Sequence, residues 1–141
     1  MTIFGSALAH HRLTRRSLTG MSTTYTPGQV VEKTGFSLDT LRYYEKIGLL
    51  ESVDRTSGGR RQYRDDDVGW LEMLRCLRDT GMPIARMLEF AELTRDDATI
   101  ADRIALLEEH DRDVEERIDT LLRQREHVRN KIAYYRSELQ R

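Results

Sequence analysis

The chain has 141 residues, of which 38% are hydrophobic and 33% are charged, and its formal net charge is -1. This length suits one small domain plus an extended element and excludes a large enzyme core. A net charge close to zero excludes a generally basic nucleic-acid binder, so attraction to phosphate has to come from local clusters. Seven basic and four acidic residues lie between positions 33 and 64, a local excess of three positive charges.

The cysteine content and the hydropathy pattern indicate the compartment. Cys76 is the one cysteine and cannot form a disulfide within the chain, and no run of about 18 apolar residues is present to span a membrane. We therefore expect a cytoplasmic protein without a membrane partner. Residues 1–24 contain three arginines and no acidic residue, and they predict a disordered basic arm. His10 and His11 in this arm are expected to be solvated rather than to bind a metal.

The predicted elements begin with a short helix after this arm. Thr26 can cap its start and Pro27 fits its first turn, because the first N–H groups of a helix have no partners within the helix. Val30 and Val31 are its predicted buried residues. Gly35 ends the helix after about two turns, since glycine readily adopts the left-handed conformation of a helix stop.

A second helix follows directly and completes a helix pair. Ser37 caps it, the residues from Leu38 to Lys46 form it, and Gly48 supplies a left-handed stop. Two short helices joined by a glycine turn predict a helix-turn-helix. The second helix of such a pair is the one that presents side chains to DNA.

The recognition surface is expected on this second helix. Arg42 can bind guanine or phosphate, whereas Tyr43 and Lys46 suit phosphate contacts. By helical angle Tyr44 lies nearer Leu41 than Tyr43 does, so Tyr44 is assigned mainly to the core. The full set of predicted DNA-contacting residues, including those of the next segment, is Ser37, Thr40, Arg42, Tyr43, Lys46, Arg55, Arg60, Arg61 and Tyr63.

The segment LLESVDRTSGGRRQY predicts a hairpin with TSGG as its turn, and a hairpin after such a helix pair is called a wing. Arg60, Arg61 and Tyr63 follow the glycine pair, which lets the backbone turn tightly beside a phosphate chain. Arg55 stands opposite them. The alternative is that these arginines only solvate the hairpin tip, but their position directly after a helix pair favours DNA contact.

Two further helices are predicted after the wing. Asp65 or Asp66 caps the third helix, which Gly81 and Pro83 end. A fourth helix is predicted from Ile84 to Leu93. The apolar face of the third helix is expected to consist of Trp70, Leu74 and Leu77, flanked by Leu71 and Met73.

Beyond the polar stretch TRDDA, where we place a domain boundary, apolar residues recur alternately three and four positions apart. A helix of about 40 residues, roughly 60 Å long, cannot bury such a seam against so small a domain. We therefore predict a dimerisation coiled coil over residues 99–141. The alternative, a helix lying along its own domain, is disfavoured because few apolar residues lie outside the seam. The predicted interface comprises Ile104, Leu107, Asp111, Val114, Ile118, Leu121, Arg125, Val128, Ile132, Tyr135 and Leu139.

The two charged seam residues indicate the orientation of the coil. In a parallel pair Asp111 would face its own copy, and so would Arg125. An antiparallel pair centred near Ile118 instead brings Asp111 close to Arg125 of the partner in both directions. The sequence therefore predicts an antiparallel dimer.

The segments YTPGQVVEKTGFSLDTLRYYEKIGLL, RTSGGRRQY and DDVGWLEMLRCLRDTGMPI resemble the MerR family of bacterial transcription regulators along residues 25–93. The helix of residues 100–139 resembles that family's dimerisation helix. The resemblance implies a mainly α fold: a winged helix-turn-helix DNA-binding domain, residues 25–93, and a long C-terminal helix that forms an antiparallel coiled-coil dimer. It also implies a homodimer on double-stranded promoter DNA with an overlong spacer. Distortion of that spacer would affect RNA polymerase indirectly.

Cys76, within CLRDTGM, resembles the reactive cysteine of the thiol- and aldehyde-responsive NmlR/AdhR-like branch of this family. The likeness implies a response to electrophile, aldehyde or nitrosative stress. Arg75, Arg78 or an arginine of the partner could favour the thiolate. The alternative is a structural Cys76 in an effector-independent repressor or an architectural DNA-binding protein.

No cofactor, metal site or enzyme activity is expected. His110 and His127 are 17 residues apart and out of phase on one helix, so they cannot converge on a metal without a partner chain. The sequence contains no nucleophile with a spaced base and no glycine-rich phosphate loop, which are the usual parts of an active site.

Overall fold

The structure is a computed structural model that describes residues 23–51 and 53–141. The chain divides into two compact units, one ending at Glu92 and one formed by Leu93–Arg141. The predicted mainly helical architecture is confirmed, with a helix-turn-helix and wing before a long C-terminal helix. In chain order the elements are β1 (Thr24–Tyr25), α1 (Pro27–Thr34), α2 (Leu38–Lys46), β2 (Asp54–Arg55), β3 (Arg61–Arg64), α3 (Asp65–Asp79), α4 (Ile84–Thr94), a 3-10 turn (Asp97–Thr99) and α5 (Ile100–Leu139).

Helix α1 begins and ends as its sequence predicts. The Thr26 hydroxyl accepts from the backbone N–H of Gln29 at 3.2 Å, and the Gln29 side chain accepts from the Thr26 N–H at 2.9 Å. These reciprocal bonds satisfy two of the N–H groups that a helix start leaves without partners. Gly35 ends the helix with a φ of 74°. Val30 is buried as expected, whereas Val31 is only half-buried.

Helix α2 matches its predicted bounds. Ser37 caps it by accepting from the Thr40 N–H at 3.1 Å, and Gly48 follows its end with a φ of 83°. Both predictions rested on residues with a specific backbone role, a hydroxyl cap and a left-handed glycine. Helix α2 therefore has a capped start and a glycine stop just beyond its end.

The three strands form an antiparallel sheet in the order β1–β3–β2. The predicted hairpin is confirmed, because Arg55 lies opposite Arg61 across β2 and β3. Thr56 and Gly59 close its turn with a backbone hydrogen bond of 2.9 Å. The first strand was not expected. Thr24 of β1 pairs with Arg64 of β3, so the arm predicted for residues 1–24 does not extend to Thr24. Residues 1–22 lie outside the described part of the chain.

Helix α3 begins one residue earlier than a cap at Asp65 or Asp66 would allow. Its first residue is Asp65, and the carboxylate of Asp67 accepts from the Arg64 N–H at 2.9 Å. The acidic run therefore fills the first turn of the helix, where carboxylates interact favourably with the helix dipole. Arg64 occupies the cap position itself.

The buried face of α3 is also shifted from the predicted one. Leu74 and Leu77 are buried as expected, but Leu71, placed at the flank, is fully buried, and Trp70 is only half-buried. The Trp70 indole donates to the Leu49 carbonyl at 2.8 Å and stacks on Phe90 at 5.7 Å. The polar indole N–H therefore holds Trp70 at the rim of the core.

The core of the first unit gathers apolar residues from its helices and from the hairpin. Its helical contributions come from one face of each amphipathic helix, as expected for a small helical domain. Among the residues described up to Glu92, the buried apolar side chains are Val30, Phe36, Leu41, Tyr44, Leu49, Leu50, Val53, Tyr63, Val68, Leu71, Leu74, Leu77, Met82, Met87, Phe90 and Ala91.

The second unit opens with an ordered turn. Arg103 donates to the carbonyls of Leu93 and Asp96 at 3.2 and 2.6 Å, and the Thr99 hydroxyl also donates to the Leu93 carbonyl. The polar stretch TRDDA, where the domain boundary was predicted, thus overlaps a 3-10 turn, Asp97–Thr99, which side chains hold in place. It leads directly into α5, which has 40 residues, the length that the seam predicts.

Most of α5 is exposed in the single chain. Every residue from Glu115 to Arg141 is exposed, and Leu106 is the one buried residue of this fully described helix. Leu107 and Val114 of the predicted seam are half-buried. The exposed apolar seam residues are Ile104, Ile118, Leu121, Val128, Ile132, Tyr135 and Leu139.

Candidate nucleic-acid interface

Helix α2 presents one polar face outward and one apolar face inward. Arg42, Tyr43 and Lys46 are exposed, with Tyr43 at 50%. Leu41 and Tyr44 are buried, and the Tyr44 ring packs edge-on against Phe36 with centroids 5.3 Å apart. The prediction that Tyr44 packs in the core is therefore confirmed, and Tyr43 is the exposed tyrosine of the pair. The outer face can offer guanidinium, phenol and ammonium donors to a ligand.

The hydroxyls at the start of α2 have structural partners. Ser37 and Thr40 share a hydroxyl–hydroxyl hydrogen bond of 2.9 Å, besides the cap bond to the Thr40 N–H. Ser37 is exposed and Thr40 is half-buried. Both lie at the positive end of a helix, a position that suits an anionic phosphate.

The wing is held in shape by bonds across its tip. The Arg55 guanidinium donates to the Gly59 carbonyl at 2.9 Å, and the Thr56 hydroxyl accepts from the Arg60 N–H at 3.2 Å. Gly59 has a φ of 80°, which glycine adopts without strain. The exposed side chains of Arg55 and Arg60 are thus carried on a hairpin whose backbone is fixed.

Arg61 is placed differently from the other wing arginines. Its guanidinium is half-buried and forms an ion pair with Glu45 of α2 at 2.8 Å. This contact joins β3 to the recognition helix, which sequence reasoning did not foresee because Glu45 and Arg61 are 16 positions apart. The positive charge of Arg61 is therefore partly offset by the Glu45 carboxylate.

Tyr63 was predicted to contact DNA, but the structure buries its side chain. Tyr63 is 1% exposed and lies opposite Tyr25 in the β1–β3 pair. Burial raises the pKa of its phenol, because a low-dielectric surrounding disfavours the charged form. The strand β1, which the sequence did not reveal, gives β3 a second partner and makes Tyr63 a core residue.

Leu38 lies three positions before the buried Leu41, but the structure exposes its side chain. Its side chain is 43% exposed at the first position of the helix. The sequence did contain a sign of this exposure, because Leu38 lies four residues before Arg42 and the two side chains therefore share one face of the helix. Leu38 thus belongs to the outer surface of α2.

Cys76 is half-buried on α3, between two arginines that have other partners. Arg75 donates to the Thr34 carbonyl at the end of α1 and to Asp79 at 3.2 Å. Arg78 also pairs with Asp79 at 3.3 Å and lies over the Phe36 ring at 4.7 Å. The hydrogen bond from Arg75, followed by that from Arg78, lowers the pKa of Asp79. These contacts connect α3 to the turn of the helix-turn-helix.

In residues 23–51 and 53–141 no group of three or more histidine, cysteine, aspartate or glutamate side chains could hold a metal ion. None of the described helices combines the length and apolar character needed to cross a bilayer. His110 and His127 both lie on α5.

Comparison with known proteins identifies the family. Residues 25–92 match the model of the MerR HTH family regulatory protein. An uncharacterised HTH-type transcriptional regulator of Haemophilus influenzae is 41% identical over 113 residues, covering 79% of this chain and 84% of that protein. The regulator AdhR of Bacillus subtilis is 38% identical over 80 residues, covering 56% of this chain and 57% of AdhR.

A solved structure extends the likeness to most of the fold. HiNmlR, described as a MerR family regulator lacking the sensor domain and bound to promoter DNA, superposes with a TM-score of 0.74. It is 40% identical, and the match covers 82% of this chain and 92% of that one. The two relatives of this chain named above are transcription regulators rather than enzymes. The chain therefore belongs to the MerR family of helix-turn-helix transcriptional regulators.

Proposed function

We propose that this protein binds promoter DNA as a homodimer and switches transcription by distorting an overlong promoter spacer. The observation that carries the DNA-binding part is the exposed row of donors on α2, formed by Arg42, Tyr43 and Lys46. Base edges in the major groove are read by such a helix. The HiNmlR structure, which holds promoter DNA, supports the same assignment.

Each exposed residue has a proposed role. Arg42 reads a base edge or binds phosphate, and Tyr43 and Lys46 bind the backbone. Ser37 and Thr40 sit at the helix start, where a phosphate oxygen fits best. Arg55 and Arg60 contact the backbone beside the wing. Arg61 contributes through its ion pair with Glu45 and the remaining exposed part of its guanidinium.

The DNA-binding proposal is tested by fluorescence anisotropy with a labelled duplex from the intergenic region upstream of the gene. Arg42→Ala should weaken binding by about 5-fold to 150-fold, because one good bidentate base contact contributes roughly 1–3 kcal/mol. Arg112→Ala, an exposed arginine of α5 outside the seam, serves as the matched control and should bind like the wild type. Equal binding by both variants would refute the role of Arg42.

The dimer is proposed to form through α5. Its exposed apolar seam needs a cover in water, and a second copy offers the same seam. The exposed charges of Asp111 and Arg125 favour the antiparallel arrangement, since each then meets the opposite charge. Such a coil would fix the distance between the two DNA-binding units and hence the half-site spacing.

The spacer mechanism is tested by transcription from two promoters that differ in spacer length. A protein that acts by untwisting DNA should activate the natural promoter but have no activating effect once the spacer is shortened by about two base pairs, because the promoter elements are then already aligned. A simple repressor would repress both promoters. That result would favour the effector-independent alternative and overturn the spacer mechanism.

Cys76 is proposed as the sensing residue for electrophile, aldehyde or nitrosative stress. Cys76 is half-buried on α3. The adjacent Arg75 donates to the Thr34 carbonyl at the end of α1, so it contacts the turn of the helix-turn-helix. An adduct would add bulk there and shift the balance between DNA-bound conformations. Cys76→Ser should abolish the transcriptional response to formaldehyde or a nitrosothiol while leaving DNA binding intact. An unchanged response would assign Cys76 to a purely structural role.

A further inference from the structure

Leu38 begins α2 with an exposed apolar side chain, between the exposed polar residues Ser37 and Asp39 in the sequence. A single exposed leucine is ordinary in a folded protein, so its location is the informative part. Among the residues described up to Glu92, three large apolar side chains are exposed, those of Leu38, Tyr43 and Ile84. Two of these three belong to the nine-residue helix α2.

Leu38 lies in one row with the two cations of the recognition helix. Leu38, Arg42 and Lys46 follow one another at intervals of four, and side chains at that spacing lie on one face of a helix. All three are exposed. Leu38 stands at the N-terminal end of the row, and the N-terminal residues of a recognition helix are the ones that contact base edges.

We propose that Leu38 is a specificity-determining residue that contacts the 5-methyl group of one thymine in each half-site. Of the groups at the major-groove edge, this methyl group is the apolar one, and apolar side chains recognise it. The inference rests on the proposed function, in which α2 enters the major groove. It adds an apolar reading of thymine to the polar contacts of Arg42.

The test uses duplexes selected by the wild-type protein from a random-sequence library. Each thymine of a selected duplex is replaced in turn by deoxyuridine, which removes only the 5-methyl group. For wild type, one replacement per half-site should weaken binding roughly fourfold, the value for removing one buried carbon group. For Leu38→Ala, binding to the unmodified duplex should be weaker, and that same replacement should have no further effect.

Two further variants serve as controls for the Leu38→Ala result. Leu38→Met keeps an apolar side chain and should retain the preference for the methyl group. Ile84→Ala removes a similarly exposed apolar side chain at the start of α4 and should respond to deoxyuridine like the wild type. Circular dichroism of each variant verifies that the helices are intact.

The outcomes separate this inference from the proposed function. Specific binding with an equal response of wild type and Leu38→Ala at every thymine would overturn the role of Leu38 alone. If the wild type selected no duplex, both the proposed function and this inference would fail. Loss of the methyl effect in Leu38→Ala, together with its retention in Leu38→Met, would support the inference.

Discussion

Two tyrosines of the winged domain, Tyr43 and Tyr63, have opposite surroundings although both lie in the basic segment between positions 33 and 64. Tyr43 is exposed on α2, whereas Tyr63 is buried in β3. A phenol hydroxyl on the surface can bind a phosphate oxygen, and a buried one cannot reach it. Burial therefore separates a candidate DNA contact from a core residue.

This difference gives a prediction for a matched pair of variants. Tyr43→Phe should weaken operator binding but leave its salt dependence unchanged, because the lost phosphate contact is made by a neutral hydroxyl and not by a cation. Tyr63→Phe should bind with the affinity and salt dependence of the wild type, since the core keeps its ring. Anisotropy titrations at several salt concentrations measure both. A Tyr63→Phe protein with the weaker binding of the two would show that Tyr63 contacts DNA.

At Gly35 both the backbone conformation and the surrounding atoms disfavour a larger side chain. Its φ is 74°, and a Cβ atom there would lie 1.5 Å from Nη1 of Arg75. Gly35→Ala should lower the free energy of unfolding by at least about 1–2 kcal/mol, from backbone strain and displacement of Arg75. Urea denaturation provides the measurement.

A second glycine in the same segment is the control. The nearest atom to a Cβ at Gly28, in α1, would be the Thr26 hydroxyl at 4.0 Å. Gly28→Ala should therefore leave stability unchanged or raise it by about 0.5–1 kcal/mol, because alanine loses less entropy in a helix. Equal stabilities of the two variants would contradict the proposed packing of Arg75 over the turn.

At the scale of elements, the recognition helix and the wing act as one unit in this structure. Glu45 of α2 and Arg61 of β3 form the ion pair that joins them at 2.8 Å. Both side chains are half-buried, which protects the pair from full solvent screening. Orientation of the wing should therefore depend on this contact.

The coupling can be measured by a double-mutant cycle. Arg61→Ala and Glu45→Ala should each weaken operator binding, and the double variant should bind no more weakly than the worse single variant. Non-additivity of about 0.5–1 kcal/mol is expected for a partly buried pair. Anisotropy titrations of the four proteins give the cycle. Strict additivity would mean that Arg61 acts on DNA independently of Glu45.

The elements that sequence reasoning predicted well are those with strong local signals. The bounds of α2 followed from Ser37 and Gly48, and the hairpin followed from TSGG. Strand β1 has two residues, too few for any periodicity, so its pairing with β3 was missed. The burial of Tyr63 was consequently not foreseen, and the Glu45–Arg61 pair was missed because it joins distant segments.

At the scale of the whole molecule, the orientation of the proposed coil is the property that charge alone predicts. Cross-linking tests it in a Cys76→Ser background. Asp111→Cys mixed with a size-tagged Arg125→Cys protein should give a disulfide between the two chains. Neither variant alone should cross-link to itself, because an antiparallel coil keeps identical positions apart. Efficient self-cross-linking of Asp111→Cys would indicate a parallel coil.

The proposed function requires two chains, joined through α5, to bind one promoter duplex. Sedimentation velocity of the full chain with a labelled promoter duplex measures the mass of the complex directly. We expect a dimer in the absence of DNA and two chains per duplex in its presence, with both species retained at micromolar concentration. A monomer that binds the duplex as a single chain, or a protein that does not bind it, would contradict the account.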